Sequence, residues 1–115
     1  MTERDRASLL DIARFAETIL QLTAGMDEAA FQADVRTQLA VLYELTVLGE
    51  AVKRLSQEFR DRHPDIPWRN MAGMRDKLIH DYDRVDARRV WEVVTTSLPD
   101  LLNKIDPLLP KEGNA

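Results

Sequence analysis

No cysteine occurs in the 115 residues, which excludes a disulfide framework, a thiolate metal site and a cysteine nucleophile. Glycine numbers only 4 and proline 5, leaving little room for a glycine-rich phosphate loop or for disordered linkers. No apolar run approaches the ~18 residues of a membrane span, and the opening Met1-Thr2-Glu3-Arg4-Asp5 is too charged for a secretory signal. The patterns HExxH, GxSxG and the P-loop are missing. What is present is an ordinary globular composition, 44% hydrophobic and 31% charged, at a length suited to one domain spanning 1–115. A chain of this size buries enough surface to fold without staples. The expectation is a compact cytoplasmic protein with no membrane association and no cofactor.

The net charge of −4 is unevenly placed. Residues 1–48 hold four arginines against eight acids, whereas 49–115 are balanced and 49–91 carry ten Lys/Arg against eight Asp/Glu. Overall acidity argues against a general nucleic-acid coat protein, whose affinity comes largely from neutralised phosphates. It leaves room for a small site gripping one or two phosphates.

Apolar spacing predicts helices throughout. Thr2 and Asp5 resemble a weak capping box, and Leu9, Ile12, Ala13, Ala16, Ile19 and Leu20 form one stripe that Gly25 ends. Asp27 can cap a second helix of about 35 residues reaching Arg62, with a stripe through Phe31, Val35, Leu39, Leu42, Leu45, Val52, Leu55 and Phe59 and with a bend expected for that length. Gly49 lies inside it, a position that permits close approach of another backbone at a helix cost of ~1 kcal/mol. Two prolines break the chain at His63-Pro64-Asp65-Ile66-Pro67, and Trp68–Ala72 forms a short turn of helix. A helical pattern resumes from Met74 to Tyr82. Asp86 caps a last helix that uses Val90, Trp91, Val94, Leu98, Leu101, Leu102 and Ile105, with Pro99 expected to kink or interrupt it. Period-two alternation is too short for a sheet. The expected fold is all-α, an up-and-down bundle of four to five helices.

Imidazole chemistry must use His63 or His80. His63 sits before a proline in the most loop-like stretch and reads as structural. His80 lies within Arg75-Asp76-Lys77-Leu78-Ile79-His80-Asp81-Tyr82, which supplies a guanidinium for phosphate, a proton carrier near neutral pH and a phenol. On spacing alone, a helix end with mixed polar residues accounts for the same stretch. On one straight helix Arg75 and Tyr82 share a face while His80 lies about 140° away. Either the helix ends near His80 or a second copy completes the site, as in a symmetric dimer. Met71 and Met74, beside Trp68, read as bundle filler. The paired acids Asp81 and Asp83 read as a solvated loop.

Taken together, Gly49-Glu50-Ala51-Val52-Lys53-Arg54-Leu55-Ser56, Ile66-Pro67-Trp68-Arg69, Gly73 to Tyr82, Val85-Asp86 and Val90-Trp91 resemble the HepT-like branch of the HEPN superfamily, over roughly residues 35–105. The Arg-x4-His-x-Tyr element is the most distinctive part. The resemblance implies a small helical bundle that forms a homodimer and acts as a metal-independent ribonuclease. It implies the toxin of a toxin–antitoxin pair whose partner, a minimal nucleotidyltransferase, adenylylates the motif tyrosine. By position Arg75 and His80 become the catalytic pair and Tyr82 the modification target. Asp76 stands where many relatives carry a small polar residue, often Asn, and Glu50 resembles a recurrent polar residue near the site. A non-catalytic helical module binding a nucleotidyltransferase or nucleotide is the alternative. A purely structural dimer, with Arg75 and Asp76 stapling its interface, is a third reading, disfavoured by the completeness of the motif.

Overall fold

A computed structural model describes residues 1–80 and 84–110, with only the backbone of Ile79 and His80 described. The chain is all-α but for one small hairpin. Its elements are α1 (Glu3–Leu22), α2 (Glu28–Gln32), α3 (Val35–Arg54), α4 (Gln57–Arg62), α5 (Trp68–Ala72) and α6 (Met74–Leu78). The strands β1 (Ile79–His80) and β2 (Arg84–Val85) follow, then α7 (Ala87–Glu92), a π-helical turn (Val93–Ser97), α8 (Leu98–Ile105) and a 3₁₀ turn (Asp106–Leu108).

The expected starts are in place. Thr2, Asp27 and Asp86 each accept a backbone N–H three residues on, from Asp5, Ala30 and Arg89. The long helix expected to begin at Asp27 and reach Arg62 is instead three segments, because two further caps restart the chain within it. Asp34 accepts from the Thr37 N–H, and Ser56 accepts from the Phe59 N–H after Leu55 turns extended. The buried Gln38 amide donates to the carbonyls of Phe31 and Gln32, satisfying the end of α2. The break resets the helical phase. Val41, Leu42, Leu45, Leu48 and Val52 become the core face of α3, while Val35 and Leu39, expected in the core, stand 62% and 54% exposed beside Tyr43 at 66%.

The core joins that face of α3 to Leu9, Ile12, Ala16 and Ile19 of α1 and to Val90, Val94, Leu98, Leu101 and Ile105 of the last helical run. Pro99 interrupts the α-helical pattern of this run, as expected, through a π-helical turn after which α8 starts at Leu98. It lacks an N–H for the carbonyl four residues back and its ring crowds that carbonyl. The turn before it widens, with the Leu98 N–H donating to Val93 O, five residues back.

Asp5 does more than cap. Its carboxylate is buried and accepts the Ser56 N–H at 2.7 Å and the Ser56 hydroxyl at 2.8 Å, tying the start of α1 to the start of α4. Burial alone would raise its pKa, but these bonds, with help from Thr2, outweigh burial and hold it below the ordinary carboxylate value. A depressed folded-state pKa stabilises the fold above the unfolded value of about 3.9, and that stabilisation is lost as pH falls through the lower folded value. Thermal melts should therefore show Asp5→Asn less stable than wild type at neutral pH, with the gap closing below about pH 4. A gap constant with pH would show that the charge contributes nothing.

Gly49 is where α5 meets α3. A β-carbon there would lie 2.9 Å from the Ala72 carbonyl oxygen and 3.4 Å from that of Met71. Both are backbone atoms and cannot swing aside. Gly49→Ala is expected to cost about 1–3 kcal/mol in overpacking, exceeding the ~1 kcal/mol that alanine adds to a helix interior. Urea unfolding should show a lower midpoint at unchanged slope.

Candidate functional site

The close approach at Gly49 presses α5 and the Gly73 turn against α3, and this seats α6, which carries Arg75. The Arg75 side chain is about half exposed, at 53%, and its guanidinium lies 3.5 Å from the Asp76 carboxylate. Such an exposed pair is worth at most ~1 kcal/mol. Its consequence is positional, since it restrains the guanidinium and leaves its other donors open among the described residues. Glu50 projects from α3, exposed, and pairs with Lys53 at 3.3 Å rather than with Arg75.

The helical pattern expected from Met74 to Tyr82 stops at Leu78. Ile79 pairs with Val85 and His80 with Arg84 in an antiparallel ladder, and the Asp86 N–H closes it onto Leu78 O at 2.8 Å. Two β-branched residues pairing across a short connection win over helix continuation. Arg75 therefore sits on a helix and the His80 backbone on a strand. The helix thus ends just before His80, the first of the two arrangements expected. Tyr82, Asp81 and Asp83 lie outside the described residues, as does the His80 side chain. His63 keeps the structural place expected of it, since its ring packs at a tilt against Phe59, centroids 4.7 Å apart, and its carbonyl accepts the Trp68 indole N–H at 3.0 Å.

Among the described residues no three His, Asp or Glu side chains gather in a cluster able to hold a metal, and no helix is long and apolar enough to cross a membrane. Two features of the neighbourhood escaped the sequence reading. One is the exposed row Val35, Leu39 and Tyr43 on α3, whose sequence signal is the Asp34 cap that shifts the phase. The other is a cleft beside α6 lined by Met71, Met74 and Lys77. The methionines were read as filler. Met71 is buried in the core and yet shows an edge to this cleft, as does the partly buried Met74.

Comparison with known proteins gives concordant matches. The family described as Ribonuclease HepT-like matches residues 12–108. The chain is 44% identical over 100 residues to a probable ribonuclease HepT of Thermococcus cleftensis, covering 87% of this chain and 91% of the relative. It is 37% identical over 110 residues to a candidate RNase of Methanocaldococcus jannaschii, covering 95% and 91%. A further candidate RNase, from Caldanaerobacter subterraneus, is 37% identical over 107 residues, covering 93% and 96%. No solved structure gives a significant match.

Proposed function

Because the chain belongs to the HepT-like family of ribonucleases, we propose that it is the toxin of a toxin–antitoxin pair, cutting RNA without a metal at a site completed by a second copy. In this reading a minimal nucleotidyltransferase partner silences it by adenylylating Tyr82. The observation that carries the reading is the placement of Arg75, an exposed guanidinium on α6 five residues before His80 at the hairpin. RNA cleavage by internal attack needs a base, an acid and a cation. A histidine takes the 2′-hydroxyl proton, the 2′-oxygen attacks phosphorus, the bond to the 5′-oxygen breaks, and that oxygen receives a proton. Arg75 holds the charge that builds on the phosphoryl oxygens. His80 from each chain divides the acid and base duties. Asp76 restrains Arg75, and Glu50 is a supporting polar group.

Arg75 and His80 do not share one straight helix, so helix geometry no longer calls for a second copy. Support for a homodimer comes instead from α3. Val35, Leu39 and Tyr43 make an exposed apolar row, and Tyr43 and Glu50, seven residues apart, share a face. A second copy covering that row sits beside Glu50. The test is RNA cleavage in excess EDTA, with the mass of the active species measured by light scattering. Undiminished cleavage by a dimer is expected. Activity that vanished with chelator and returned with Mg²⁺ or Mn²⁺ would overturn the metal-free reading, and a monomer at micromolar concentration would overturn the shared site.

A further inference from the structure

Between α5–α6 and the run Ala87–Ile105 lies a cleft of about 600 Å³, a volume typical of sites for small organic ligands. Its floor is apolar, made by Met71, Leu78, Val93 and Leu101. Lys77 and Arg89 stand at its rim. The acids that also line it are engaged elsewhere, Glu92 by Arg88 at 3.8 Å and Asp100 by Lys104 at 3.3 Å. Arg89 is paired likewise, with Asp86 at 3.8 Å, and Lys77 has no ion-pair partner among the described residues. Lys77 is therefore the one charged lining residue without an opposite partner among the described residues.

Three further lining groups, Asn70, Thr96 and Ser97, make no side-chain hydrogen bond among the described residues. Neighbouring Thr95, outside the cleft, gives its hydroxyl to Trp91 O at 2.8 Å. Thr96 and Ser97 belong to the π-helical turn, an irregularity that recurs at functional sites. An apolar floor, side-chain donors and acceptors not bonded among the described residues at its edge, and the cation Lys77 beside it are the chemistry that receives a nucleobase carrying phosphate. An apolar peptide side chain would leave that cation and those polar groups unused. On α6, Met74, Lys77 and Leu78 share the flank facing the cleft, and Arg75 is one residue round from Met74, about 100° away.

We propose that this cleft is a base-recognition subsite, receiving a nucleotide that flanks the scissile phosphate of the RNA. The proposal rests on reading Arg75 as the phosphate clamp. In it Lys77 and Arg89 hold the neighbouring phosphate, the methionines and Leu78 pack on the base, and Asn70, Thr96 and Ser97 read its edge. The subsite lends sequence preference to cleavage, and the clamp lends rate.

The full-length protein is to be titrated with uncleavable 2′-O-methyl oligoribonucleotides differing at one base, followed by amide NMR, with AMP and UMP as separate arms. Amide shifts at Asn70, Lys77, Thr96 and Ser97 are expected, with one base preferred. Thr96→Val should weaken the preferred oligonucleotide roughly fivefold and flatten the preference, and Thr96→Ser should restore it. Shifts that bypass the cleft, no binding, or unaltered affinities in Thr96→Val and Asn70→Ala would each overturn the subsite. Mononucleotides binding as tightly as the oligonucleotides would also overturn it, marking an effector site instead. The clamp reading is judged apart, by cleavage. Arg75→Ala that still cut RNA would refute the clamp, while the NMR pattern at the cleft would stand or fall on its own result.

Discussion

Arg75→Ala and His80→Ala should each slow RNA cleavage by about 10²-fold or more, while far-UV circular dichroism and the melting transition of Arg75→Ala stay close to wild type. The Arg75 side chain is half exposed and its ion pair among the described residues is the weak contact with Asp76, so its removal costs the fold little. The rate is another matter. A phosphorane gathers charge that the ground-state phosphate lacks, and a guanidinium aimed there stabilises the transition state more than the substrate. Arg75→Lys keeps the charge but loses the planar fork, so an intermediate rate is expected. In the proposed mechanism His80 acts on the same step, so the two losses should not add, and the double variant should fall little below the worse single one. Single-turnover cleavage of one labelled RNA measures all four. Near-wild-type turnover by either alanine variant would remove that residue from the catalytic pair.

Much of this frame is local and therefore legible. Thr2, Asp27 and Asp86 cap helices because a short oxygen-bearing side chain before an apolar stripe has few other uses there. Gly49 reads as a point of close approach, and the Ala72 carbonyl is what approaches it. The stripe of the last helix holds as well, since Val90, Val94, Leu98, Leu101 and Ile105 are all buried.

The misreadings share one cause. Apolar residues kept near-helical spacing across Asp34 and Ser56, so the stripe ran through two caps, and Val35 and Leu39 were counted in the core. Asp5 was read for its bond to Thr2, but its larger role is with Ser56, 51 residues away, where no periodicity reaches. The end of α6 was missed for a similar reason. Leu78 is a good helix residue, and pairing of Ile79 with Val85 and His80 with Arg84 stops the helix there. At the site, the order of Arg75, His80 and Tyr82 was readable. What surrounds Arg75 was not, because the cleft is assembled from α5, α6 and the last helical run.

Tyr82→Phe should retain cleavage in large part and lose its susceptibility to the proposed nucleotidyltransferase partner. The substitution removes one oxygen and keeps the ring, so a tyrosine that is only an acceptor costs little when changed. In the proposed scheme adenylylation attaches a phosphate and a nucleoside two residues beyond His80. The phosphate carries negative charge into the reach of Arg75 and competes for its hydrogen bonds, while the nucleoside occupies the path of the RNA. Wild type incubated with the partner and ATP should gain the mass of one or more AMP groups and lose cleavage by at least about tenfold, the equivalent of ~1.4 kcal/mol in the barrier. Tyr82→Phe under the same treatment should gain no mass and keep its rate. Intact-mass spectrometry and a cleavage assay on the same sample separate the outcomes. A Tyr82→Phe protein that gained AMP as readily as wild type would place the acceptor elsewhere. One that gained none but was still inhibited would show that the partner acts by binding alone. Either result would refute covalent silencing at Tyr82, yet leave the assignment of Arg75 and His80 intact, because the phenol is asked to move no proton in the cleavage step.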